Sequence, residues 1–251
     1  MRLQGKVAIV TGGSQGIGAA IARRFGAEGA QLAIVNHAHP ERAQAVVREI
    51  EGAGGGAAAF PADITQLDQI DAMVAAVIER FGTVDILVNN AALFLPTPIE
   101  ETSEESWDRM MGLNLKAVFF LSKAVAPHMK AKRRGKIINI SSIAGTGAFP
   151  QSTAYCVTKG GLNLMTKSLC VELAPSGINV NGLAPGNVAT PMNEALRADP
   201  AHCEAMQRRT PSGRAFLDPT DMVGCAVFLA SEDSNQVHGQ TIGVDGGWTA
   251  W

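Results

Sequence analysis

The stretch K-V-A-I-V-T-G-G-S-Q-G-I-G, residues 6–18, decides the fold of this chain. Residues 6–10 are a short apolar run of the kind that forms a buried strand. From Thr11 to Gly18, glycines 12, 16 and 18 follow in a G-x-x-x-G-x-G spacing. A helical pattern then runs from Ile17 to about Glu28, with Ile21, Ala22 and Phe25 on one stripe. Strand, glycine turn and helix start in that order make a phosphate site, because backbone N–H groups point outward and the helix dipole favours an anion. Gly12 permits the tight turn, Gly16 lets backbone approach a ligand, and Gly18 lets helix and strand pack closely. The turn therefore predicts a nucleotide.

Working outward, the alternation repeats. Strands are expected at 31–36, 56–60, 84–88, 135–140, 178–182 and 240–244, and helices at 40–53, 66–81, 103–131, 153–173 and 219–231. Strands alternating with helices in this way predict one doubly wound parallel sheet with helices on both faces, a single domain spanning residues 1–251. Residues 183–216 read as irregular, partly helical. Unstructured segments this long inside a domain are usually functional, so 187–216 is expected to be a mobile substrate loop or lid.

Apolar residues make up 46% of the 251 and charged residues 18%, enough for a large core and against disorder. A net charge of −2 gives no electrostatic footprint for nucleic acid or an anionic membrane. The basic run from Lys130 to Lys136 closes a helix and reads as a solvated C-terminal end. No apolar window is long enough to cross a bilayer, and the apolar run at the N-terminus is too short for a secretory signal. Cys156, Cys170, Cys203 and Cys225 have no pairing or ligand spacing. Reduced thiols, a cytoplasmic location and no metal site are expected.

Open α/β sheets bind ligands beyond the C-terminal ends of their strands. Asn36, His37 and His39 follow the second strand, where an acid suits a ribose 2′-hydroxyl and a base a 2′-phosphate. With Gln15 in the glycine loop, neither choice is made. Asp63, past the third strand, is a nucleotide contact or a helix N-cap. Tyr155, the only tyrosine, precedes Lys159 by four residues, which places both on one helix face. A fixed cation favours phenolate over phenol, whose free pKa is about 10, so the two side chains can form a proton-transfer device. Taken alone, a pair at this spacing is far more often a core tyrosine and a solvated lysine.

Together, T-G-G-S-Q-G-I-G at 11–18, Asp63, N-N-A-A at 89–92, Asn114, Ser142, Tyr155 with Lys159, and P-G-N-V-A-T at 185–190 resemble the short-chain dehydrogenase/reductase family over the whole chain. The resemblance implies a Rossmann domain that moves a hydride between NAD or NADP and a secondary alcohol or ketone. It implies Tyr155 as general acid or base, Lys159 lowering its pKa and holding the nicotinamide ribose, Ser142 holding the substrate oxygen, and Asn114 positioning a water. Gly12, Gly16 and Gly18 would line the pyrophosphate, with Ser14, Gln15 and Ile17 in the same loop. Asn36, His37 and Asn89 fall at the adenosine ribose, and Asp63 and Ile64 at the adenine. Asn90, Ala91, Pro185, Gly186, Val188 and Thr190 complete the cofactor set.

Substrate contacts would be Ser142, Gln151, Tyr155 and Asn187, between walls of Leu93, Phe94, Leu95, Ala144 and Phe149. The chain is similar to 3-oxoacyl-carrier-protein reductases and to polyol or secondary-alcohol dehydrogenases. Arg133 matches one carrier-gripping base of the former, but Ser176 stands where a second is often basic, which favours a small alcohol or ketone. Two departures stand out: Ala92 replaces a glycine, and Gln15 an arginine common in NADP users. The family commonly forms homotetramers, and the tail W-T-A-W, 248–251, is expected to pack against another subunit. A dinucleotide-sensing protein without catalysis and an isomerase are the rival readings. The intact Asn114, Ser142, Tyr155 and Lys159 speak against the first, and the lack of a second substrate domain against the other.

Overall fold

Alternation along β1, Val7–Thr11, explains how the sheet is covered. Val7 and Ile9 join a core cluster with α3 (Leu67–Phe81), α5 (Ala117–Ala131) and α6 (Thr153–Leu173). Ala8 and Val10 join another with α1 (Gly16–Ala27), α2 (Pro40–Gly52) and α9 (Val223–Ala230). Neighbouring strand residues point to opposite faces, so a strand covered on both faces is apolar over most of its length. The same logic serves β2 (Gln31–Asn36), β4 (Ile86–Asn89) and β5 (Gly135–Ile140). With β3 (Gly56–Pro61), β6 (Ile178–Pro185) and β7 (Thr241–Val244) they form a seven-stranded sheet ordered β3-β2-β1-β4-β5-β6-β7. Every pairing is parallel.

This computed structural model describes residues 1–250. Trp251, and with it the end of the expected subunit-contacting tail, lies outside the described residues. None of the described helices is long and apolar enough to cross a membrane. The sheet order places a topological switch between β1 and β4, where the chain leaves β3 and returns to the other side of β1. A crevice opens at the C-terminal ends of those two strands.

Two stretches differ most from the sequence reading. β6 runs to Pro185 rather than stopping at Gly182, because Leu183–Pro185 pair with Ile242–Val244 of β7. A proline is tolerated there as the strand's last residue. The expected helix over 103–131 is broken: α4 (Glu104–Met111) passes through a π turn at Gly112–Lys116 before α5. Such bulges insert one residue into the helix and re-aim the side chains around it. Within the stretch read as irregular lie α7 (Glu194–Arg197) and α8 (Pro200–Arg209).

Candidate active site

The glycine turn links the C-terminal end of β1 to α1 without any side-chain cap. Gln15 holds the N-cap position with no capping bond, and the first turn of α1 contains no acid. The first-turn N–H groups and the positive end of the dipole are thus left for an anion. Gly12 and Gly16 both have positive φ, 61° and 53°. A Cβ on Gly12 would sit 3.0 Å from Ala91 Cα, and one on Gly16 3.2 Å from Thr190 Cγ2. The glycines keep open a cradle that any side chain would fill.

A cavity of about 1310 Å³ runs from this cradle across the strand ends. Its lining contains Gly12, Ser14, Gln15, Gly16 and Ile17 from the turn, and Asn36 and His37 after β2. Asp63 and Ile64 follow β3, Asn90 and Ala91 follow β4, and Pro185, Gly186, Asn187, Val188 and Thr190 follow β6. Ser142, Gln151, Tyr155 and Lys159 complete it. Asn36 Nδ2 is buried in this lining without a hydrogen-bond partner, an orphan donor at the position of a nucleotide ribose. Cradle, uncapped helix and orphan donor fit a dinucleotide.

Four expected residues fall elsewhere. Gly18 is buried beneath the turn, where its Cβ would lie 2.4 Å from both Gly12 O and Asn90 Nδ2, so it packs and does not line. Asn89 is 2% exposed and turns inward, Nδ2 donating to Asn139 Oδ1 at 2.9 Å. Asn89 shares the face of Leu87, towards α5, whereas Asn90 lies past the end of β4 and meets the cavity. Leu95 is outside the lining, while Leu93, Phe94 and Pro96 are in it. Asn114 is also behind the wall. Its Oδ1 accepts from Leu93 N at 2.8 Å, and its Nδ2 donates to Leu93 O at 2.9 Å and Thr158 Oγ1 at 3.1 Å. Thr158 in turn donates to Tyr155 O at 2.7 Å, so Asn114 props the turn of α6 that carries Tyr155.

At the cavity floor, Lys159 is 3% exposed, and its Nζ donates to Ile140 O at 2.8 Å and lies 5.6 Å from the Tyr155 ring centre. Burial without a carboxylate partner lowers its pKa to about 8. Burial also raises the Tyr155 phenol to about 12, and a hydrogen bond from Ser142 offsets this only in part. The expected depression of the phenol by Lys159 is therefore absent from the protein alone. Phe94 meets the Tyr155 ring edge-on at 4.8 Å and shields it from water. Burial would raise Asp63, but hydrogen bonds from Thr65 and the charge of His37 more than offset it and leave its carboxyl below the ordinary range. Gln151, at the rim, has φ 56°, a conformation few side chains adopt without support. Its carbonyl accepts from Thr97 N at 2.9 Å.

The sequence expected part of 191–215 in the substrate walls without naming its residues, and it missed α4. Arg109 of α4 and His202, Met206 and Arg209 of α8 line the substrate end. Nothing in their local spacing marks them, since α8 is brought over the cavity only by tertiary packing. Trp248, in the tail expected at a subunit contact, is covered by its own chain: it is 9% exposed, tilts against Phe149 at 6.0 Å and carries the Arg209 guanidinium 4.7 Å over its ring. Arg133 donates to Pro175 O at 3.1 Å, which brings it beside Ser176 at the opposite end of the sheet from the cavity.

The sequence model of one protein family, described as enoyl-(acyl carrier protein) reductase, matches residues 12–249. The chain is 41% identical to the 3beta-hydroxysteroid dehydrogenase 1 of Eggerthella lenta, over 99% of its own length and 95% of that protein's. It is 39% identical to the 3-oxoacyl-[acyl-carrier-protein] reductase of Thermotoga maritima, over 98% and 99%. The crystal structure of a gluconate 5-dehydrogenase from Burkholderia cenocepacia, in complex with NADP and tartrate, superposes with a TM-score of 0.95 at 38% identity, covering 100% of this chain and 97% of that one.

Proposed function

The chain belongs to the short-chain dehydrogenase/reductase family of NAD(P)-dependent oxidoreductases acting on secondary alcohols and ketones, and we propose that Tyr155 is its general acid and base. One observation carries the proposal: Tyr155, Ser142 and Lys159 line the floor of the same cavity that the glycine cradle opens. The nicotinamide, when bound, carries the hydride. Tyr155 gives its phenolic proton to the carbonyl oxygen in reduction and takes it back in oxidation. Ser142 holds that oxygen beside the phenol. Lys159, charged below about pH 8, stabilises phenolate as it forms. Asn114 is a positioning residue that acts through Thr158.

Residues 187–216 serve as the substrate lid, and Asn187 ties its base to α8 by donating to Met206 Sδ at 3.2 Å. Arg109 and Arg209 outweigh Asp108 at that end of the cavity, so hydroxy acids like the gluconate named for the Burkholderia enzyme head the substrate list. A carrier protein is disfavoured by the single base of the Arg133–Ser176 pair. The enzyme works as a homotetramer, and its four unpaired cysteines suit the cytoplasm.

The test is Tyr155→Phe assayed with NAD(H) and NADP(H) on a panel of aldonates, polyols and ketones. Turnover should fall roughly 10²–10⁴-fold with dinucleotide binding retained. Undiminished turnover refutes the role of Tyr155.

A further inference from the structure

Lys159 and Asn163 follow Tyr155 at intervals of four residues, on successive turns of one face of α6. Asn163 stands outside the cavity lining, yet it is joined to the segment that carries Ser142. Ser142 caps the short turn Ile143–Gly145, its Oγ accepting from Ala144 N at 3.1 Å. Asn163 bonds to both ends of that turn. Its Oδ1 accepts from Ser141 Oγ at 2.6 Å, and its Nδ2 donates to Gly145 O at 3.1 Å. From β7, Thr241 Oγ1 approaches the same Oδ1 at 3.5 Å.

The amide can sit only one way round. A carbonyl oxygen accepts and cannot donate, so the NH₂ end faces Gly145 and the amide oxygen takes the Ser141 hydroxyl. The fit is also close. A Cβ on Gly145 would lie 2.5 Å from Asn163 Nδ2 and 2.8 Å from Lys159 O, so helix and turn meet with no room for a methyl group. From the other side, Ser141 N donates to Leu183 O of β6 at 2.7 Å. Ser142 is thus bracketed, with β6 and α6 holding the residue before it and α6 holding the end of its turn. Gly145 N donates to Ser142 O at 2.9 Å and stiffens the turn between those anchors.

Ser142 hydrogen-bonds the Tyr155 phenol across the gap between turn and helix. Two hydroxyls that must meet one substrate oxygen tolerate little drift: a misplacement of about 1 Å can cost roughly 10²-fold in rate. We propose that Asn163 is a positioning residue, clamping the turn that bears Ser142 to the helix that bears Tyr155 and Lys159 and so setting the distance between the two hydroxyls. The proposal rests on the roles assigned above to Ser142 and Tyr155.

A double-mutant cycle tests it, with hydride transfer followed in single turnovers on the best aldonate, polyol or ketone of the panel. Asn163→Leu removes both bonds at nearly the same volume. Its rate should fall roughly ten- to a hundredfold, with Kd for NADPH and NADH, read by nicotinamide fluorescence, unchanged. In a Ser142→Ala background the same substitution should cost no more than about twofold, because the clamp then has no hydroxyl to place. An equal loss in both backgrounds overturns the proposal, since Asn163 would then act on α6 in general, and so does an undiminished rate in Asn163→Leu. If Asn163→Leu does not fold, Ser141→Ala cuts one of the two bonds with less disturbance and carries the same cycle. A several-fold loss that disappears in the Ser142→Ala background supports the clamp; a loss that persists there, or no loss, overturns it. An unchanged rate in Ser142→Ala alone refutes the role of Ser142, and the clamp falls with it.

Discussion

Tyr155 and Lys159 are governed by burial more than by each other. With the phenol at about 12, almost no phenolate exists near neutrality, so the residue is ready as an acid and must be ionised to act as a base. Alcohol oxidation should accordingly speed up from about pH 6 to pH 8, above which Lys159 loses the charge that stabilises phenolate, while ketone reduction stays level to the same point. A flat kcat/KM profile for oxidation over that range would count against Tyr155 as base. Lys136 poses a separate question at the base of β5, where it is 7% exposed and donates to Ser234 Oγ at 3.2 Å and Asn235 Oδ1 at 2.9 Å. Burial lowers its pKa from 10.5 to about 8, so between those values the unfolded chain binds more protons and its contribution to stability rises with pH. Lys136→Met should gain most over the wild type below pH 8, and the difference in Tm should shrink as pH climbs towards 10.5. A constant difference would show that Lys136 is not desolvated.

Among elements, the glycine turn and the π turn carry the site. Gly18→Ala would push a methyl to within 2.4 Å of Gly12 O and Asn90 Nδ2, forcing β1, α1 and the segment after β4 apart. We expect a loss of about 1–3 kcal/mol in stability together with weakened dinucleotide affinity. Gly224→Ala on α9, where nothing lies within 4 Å, should be neutral or slightly stabilising, which urea titration of both variants can compare. The turn was legible in the sequence because all its parts lie within thirteen residues, Lys6 to Gly18. The π turn was not. Apolar periodicity runs through Gly112–Lys116 without a break, and only the backbone shows where the helix widens to let Asn114 reach Leu93 and Thr158.

At the scale of the molecule, α6 links the site to the surface. Lys159 and Leu162 are buried on one side, while Val157, Leu164 and Val171, seven residues apart, stay exposed on the other. Phe119 on α5 and Trp107 on α4 are exposed as well. We propose that this apolar stripe is a subunit contact of the tetramer. Leu164→Glu should lower the mass measured by light scattering, and an unchanged mass would remove α6 from the interface.

By itself, the sequence determined the parallel sheet and the dinucleotide cradle, which depend on local spacing along one strand or turn, and its resemblance to the family singled out Ser142, Tyr155 and Lys159. Tertiary structure alone decided what sits around them. It turned Asn89 onto Asn139 and Asn90 onto the glycine turn, buried Trp248 under Arg209, laid α8 over the substrate end, and brought Arg42 to Gln15. The physical reason is range: such contacts join residues tens of positions apart, and their geometry comes from how helices pack on the sheet, which no local pattern encodes.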